Sequence, residues 1–63
     1  MNECKRRINA LPASLQERAF EHYREAFCDL IMFPGHEAEI IADLKRCIEE
    51  YEREAQQEAY HEH

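Results

Sequence analysis

Residues 31–41 read IMFPGHEAEII and hold the chain's only glycine and one of its two prolines. The sequence on either side carries a helical pattern, so the reading of residues 33–36 decides the fold. Pro34 lacks the amide that a continuing helix needs, and Gly35 enters a positive φ without steric cost. His36 precedes Glu37 and Glu39, carboxylates that suit the first turn of a new helix because they meet the positive end of its dipole. FPGH therefore reads as a turn. Its expected details are a His36 imidazole capping the second helix, with Met32 and Phe33 closing over the end. A lone histidine beside a turn, with no nucleophile or second acid near it in sequence, reads as structural.

Upstream, Phe20, Tyr23, Phe27 and Leu30 recur at steps of three and four, flanked by Ala19, Ala26 and Phe33. At 100° per residue these seven fall within a sector of about 140°, a broad apolar stripe. SLQE at residues 14–17 fits the S-x-x-E capping pattern, and Pro12 suits a helix start. The spacing predicts a helix over 13–32. Downstream, Ile41, Leu44, Ile48, Tyr51 and Ala55 repeat the pattern, widened by Ile40 and Cys47, which predicts a helix over 37–58. Two similar helices on a short link fold back as an antiparallel αα-hairpin. Nearer the start, Cys4, Ile8 and Leu11 stand at i, i+4 and i+7 behind Asn2, a residue suited to an N-cap. That piece, 2–11, reads as a short helix packed across the hairpin, too short to persist alone. Residues 59–63 lose periodicity and read as a frayed tail. The expectation is one small all-α domain over residues 1–63, with no internal repeat.

A chain of 63 residues has a thin core, and chains of this size usually lean on disulfides, a metal or a partner. The three cysteines, Cys4, Cys28 and Cys47, are odd in number and have no C-x-x-C spacing; no secretory apolar region precedes them. The longest apolar run, LIMF at residues 30–33, cannot span a bilayer. These features predict a cytosolic protein with reduced thiols and no membrane partner. Cys47 reads as a small core residue. Cys28 projects among Glu17, Glu21 and Arg24, either exposed or under the N-terminal helix, and an acidic setting is not that of a reactive thiol. A zinc site wants four Cys or His at paired spacings, and the close pair His61 and His63 falls short of that. No cofactor is expected. Nor is catalysis, since ligand clefts usually need several hundred Å³.

Self-association remains as a source of burial. A homodimeric helix bundle would use Phe20, Tyr23, Phe27, Leu30, Ile41, Leu44, Ile48 and Tyr51 as its core and dimer stripe. The alternative is a monomeric three-helix fold in which Cys4, Ile8 and Leu11 form a lid.

The net charge of −6 is uneven. Lys5, Arg6 and Arg7 make the first eleven residues basic, and the acidity concentrates beyond residue 37. Glu17, Glu21, Glu25 and Asp29 form a rail of like charge at i+4. Like pairs at this spacing cost about 0.2–0.5 kcal/mol each. The rail is either a solvated face that keeps a small bundle soluble or a negative surface offered to a basic partner protein. An acidic body disfavours phosphate backbones, whose binding is largely electrostatic. The Lys5, Arg6, Arg7 patch is either a solvated first turn or the contact of a small nucleic-acid-binding regulator.

The two runs MNECKRRINALPASLQERAFEHYREAF and CDLIMFPGHEAEIIADLKRCIEEYE together span residues 1–52. They resemble the small 63-codon open-reading-frame products of the exo–xis interval of lambda-type bacteriophages. That resemblance implies an early, dispensable phage accessory protein in the host bacterial cytoplasm. It also implies a link to the choice between lysis and lysogeny and to disturbance of the host cell cycle. It carries no binding residues with it.

Overall fold

The computed structural model describes the backbone of residues 2–61 and the side chains of residues 2–57. All regular structure there is helical: α1 is Asn2–Asn9, α2 is Ala13–Met32 and α3 is Glu37–His61. Residues 10 and 11, expected inside the first helix, form a turn instead. Ala10 and Leu11 donate their amides back to Arg7 and Ile8, which tightens the chain before Pro12. α3 continues through Ala59, Tyr60 and His61, past the expected end at 58, while residues 62 and 63 of the expected tail lie outside the described residues.

Pro12 itself is the N-cap of α2, with φ −57° and ψ 150°, and no side chain caps the helix. Its carbonyl accepts the amides of Leu15 and Gln16, both at 2.9 Å. The capping role expected of Ser14 therefore fails, because Ser14 already lies inside the first turn. Gln16 is the side chain that ties this corner, donating from Nε2 to the carbonyls of Asn9 (2.8 Å) and Leu11 (3.0 Å).

At the other end of α2, Phe33 donates to the Asp29 carbonyl and Gly35 takes φ +97°. The His36 carbonyl accepts the Ile40 amide, so His36 starts α3 through its backbone. Its imidazole, expected as a cap, instead lies 3.6 Å from the Glu39 carboxylate in solvent. Met32 and Phe33 do not close the end either, being 69 % and 52 % exposed.

α2 and α3 lie side by side in a hairpin-like arrangement. Arg18 meets Glu54, His22 meets Tyr51, and Ala26 shares a groove with Leu44 and Cys47, so partners descend along α3 as they ascend along α2. The buried residues of α2 are Leu15, Ala19 and Ala26. Phe20, Tyr23, Leu30, Ile41 and Tyr51 of the expected stripe are only half-buried, and Phe27 is exposed; Leu44 and Ile48 are buried. The seam is thus rotated by roughly 50° from the centre of that stripe, toward its alanine edge. The reason is size. Helices approach closely where side chains are small, and aromatic rings are displaced to the flanks.

α1 completes the core. Cys4, Ile8 and Leu11 are buried with Leu15, Ala19, Ala26, Leu44 and Ile48 in one cluster, so the lid arrangement is present in the single chain. A two-pronged ion pair fixes it: Arg7 donates from Nε and Nη2 to Glu52, at 3.1 and 2.5 Å. This hydrogen bonding holds the Glu52 carboxyl below its ordinary value and raises the Arg7 guanidinium, against a smaller opposing effect of burial.

Two outcomes are expected. Ile8→Ala should cost about 2–5 kcal/mol and largely unfold so small a chain, whereas Ile31→Ala, at a position 75 % exposed, should be near neutral by thermal circular dichroism. Glu52→Gln should cost about 1 kcal/mol at neutral pH, the upper end for a solvent-screened pair. Because the folded Glu52 pKa is lowered, that stabilisation is present above the unfolded value, about 4.3, and disappears as pH falls through the folded one. Melting curves of wild type and Glu52→Gln should therefore converge on acidification.

Candidate functional site

A helical row at i+4 drifts by about 40° per step around the axis, so the acidic rail winds along α2 rather than running straight. Glu17, Glu21, Glu25 and Asp29 are all exposed. The winding carries Glu25 and Asp29 round to the edge of α2 that faces α3, while Glu17 and Glu21 point elsewhere. Across the interhelical groove stands Asp43 of α3. The three carboxylates rim a concavity of about 130 Å³ whose other walls are His22, Ala26, Ile40, Leu44 and Cys47. The groove lies on the side of the helix pair opposite α1, since Glu52, which holds Arg7, projects from the other flank of α3.

The electrostatics of this groove are legible in the Cys47 thiol. Burial first, and then the carboxylates Glu50 and Asp43, push it up from its ordinary value, with Glu25 adding from across the groove. Arg46 opposes them and lies 3.8 Å from Asp43, in an exposed pair. Further along, Arg18 lies 3.6 Å from Glu54 and 5.3 Å from the centre of the Tyr51 ring, which His22 also contacts. These contacts close the groove toward the α1 end. It opens toward the turn, where Phe33 and His36 join Asp29 and Ile40 in a second notch of about 240 Å³.

Such a site suits a cationic side chain: negative rim, apolar floor, shallow walls. Among the described residues no group of three or more His, Cys, Asp or Glu is placed to hold a metal ion. The His61 and His63 pair lies outside the described side chains. No described helix is long and apolar enough to cross a membrane.

The basic patch is divided by the fold. Lys5 and Arg6 are exposed, but Arg7 is committed to Glu52. Two cations on one short helix are a smaller footprint for phosphate than the sequence alone offers.

Asp43, His22 and Cys47 were not distinguished by sequence pattern as one site. The available signal was their register: Asp43 and Cys47 bracket buried Leu44 on α3, as His22 and Glu25 precede buried Ala26 on α2. Comparison with protein families, characterised proteins and solved structures finds no match to this chain.

The three thiols should separate in alkylation followed by mass spectrometry of the native protein. Exposed Cys28 reacts first, Cys47 follows slowly because burial and neighbouring carboxylates disfavour its thiolate, and buried Cys4 reacts only on unfolding.

Proposed function

We propose that this chain is a non-enzymatic interaction protein that docks its acidic groove onto a basic segment of a partner protein. The supporting observation is the convergence of Glu25, Asp29 and Asp43 from two helices on one apolar-floored concavity. A rail that served only solubility would gain nothing from a third carboxylate supplied by the facing helix. Charge complementarity of this kind raises association rate and selects partners more than it adds affinity.

The resemblance to exo–xis products supplies the setting: an early phage accessory protein in the host cytoplasm, modulating host or phage regulatory machinery and biasing lysis against lysogeny. The same reading has the chain acting as a homodimeric bundle of antiparallel helical hairpins. Direct nucleic-acid binding through Lys5, Arg6 and Arg7 is the weaker alternative, since the Glu52 ion pair withdraws one of the three cations.

Affinity capture from nuclease-treated bacterial lysate tests the proposal, with the triple variant Glu25→Gln, Asp29→Asn, Asp43→Asn beside wild type. All three positions are exposed, so the variant should fold at least as well. Proteins retained by wild type and lost with the variant are expected, with a strong dependence on salt. Equal recovery from both would reduce the carboxylates to a solubility device.

A further inference from the structure

α1 is a lid of half length. At 1.5 Å per residue it spans about 12 Å against about 30 Å for α2. The Arg7–Glu52 and Gln16 contacts fix it at the end of the hairpin remote from the turn. On the same flank of the helix pair, the half nearer the turn has no cover. No residue from 27 to 43 is buried, although seven of them are large and apolar. Phe27 is 48 % exposed and Ile31 75 % exposed. Ile41 flanks them from α3, half-buried.

The chain as a whole exposes more surface than folded monomers of its mass do on average. Folded monomers of 7.6 kDa expose on the order of 4,300 Å². This chain exposes 4964 Å², an excess on the order of 700 Å². A standard specific interface takes about 800 Å² from each partner. Part of the excess belongs to the long α3, but the exposed large apolar side chains gather at the turn end: Phe27, Ile31, Met32 and Phe33.

Charge indicates the partner and its orientation. Between Arg24 and Lys45 the chain has no lysine or arginine, while Glu37 and Glu39 mark the tip. That composition repels nucleic acid and anionic lipid. Arg24 is exposed on the row of Phe27 and Ile31, and Lys45 is exposed one turn beyond Ile41. In an antiparallel two-fold arrangement the acidic tip of each copy passes over Arg24 and Lys45 of the other.

We propose, resting on the homodimeric reading above, that a second copy of this chain covers the turn half of the α1 flank. Phe27, Ile31 and Ile41 are buried about a two-fold axis, and the acidic grooves on the opposite flank face outward. The dimer is then bivalent for a basic partner.

Sedimentation equilibrium of the full chain tests this, with Ile31→Lys as the disrupting variant and Met32→Lys as an equally exposed control about 100° away on the helix. Wild type should sediment at twice 7.6 kDa. Ile31→Lys should weaken the dimer by at least about tenfold, because a buried ammonium has no partner there. Met32→Lys should leave it within about twofold, and both should keep wild-type helicity. Charge reversal by Arg24→Glu with Lys45→Glu gives a second route that leaves the apolar residues intact, and it too should weaken the dimer. A dimer indifferent to Ile31→Lys and to the charge reversal would overturn this face while leaving homodimerisation standing. A single 7.6 kDa species at every soluble concentration would overturn both.

Discussion

The close approach of α2 and α3 along Ala19 and Ala26 is the contact on which the other features depend. Two alanines, one turn to either side of the middle of α2, leave space for Leu44 and Ile48 to enter the seam, and all four are almost fully buried. Alanine brings no side-chain entropy cost and the best helix propensity, so the seam is also the cheapest place to make a contact. Once it is made, the bulky row of Phe20, Tyr23 and Phe27 cannot share it. The rings are turned outward to one flank, where they pack edge-on and tilted against each other at centroid distances of 6.3 and 5.9 Å. α1 exists to deal with that flank, and it reaches only part of the way.

The seam also organises charge. With α2 turned to present its alanines to α3, the residues one step to the other side are His22, Glu25 and Asp29, and they become the lip of a groove. Asp43 arrives at the same lip because Leu44 must point inward. The electrostatic surface is therefore a by-product of packing geometry, in the sense that the core residues fix where their neighbours project. On the α1 flank the same geometry places Glu52 against Arg7, where opposite charges meet. The α1 flank of the helix pair thus joins Arg7 to Glu52, while the groove flank gathers Glu25, Asp29 and Asp43 with Arg46 beside the last of them.

Much of the fold was legible in the sequence because it rests on strong local rules. Pro34 and Gly35 leave little choice about a turn, and periodic apolar residues on both sides leave little choice about helices. Where structure and pattern differ, two local rules compete. Ser14 fits a capping pattern, but Pro12 already fixes the extended backbone that a cap requires, and its carbonyl takes the first helical bonds. The stripe through Phe20 and Phe27 follows hydrophobicity, whereas interhelical contact selects by size. The acidic rail was visible as a row of like charges. Its closure by Asp43 was not, because that depends on the rotation of α2 against α3, which no periodicity within either helix contains.

A thin core and a like-charged groove are opposing demands on so small a chain. The carboxylates that gather at Glu25, Asp29 and Asp43 repel one another, and the eight-residue buried cluster leaves little stability to set against them. Covering the turn half of the α1 flank with a second copy would relieve this without touching the groove, since the two flanks lie on opposite sides of the helix pair. Burial gained on one flank then offsets repulsion kept on the other. It follows that neutralising the groove carboxylates should strengthen the dimer or leave it unchanged, while loosening the dimer should weaken the fold that displays the groove.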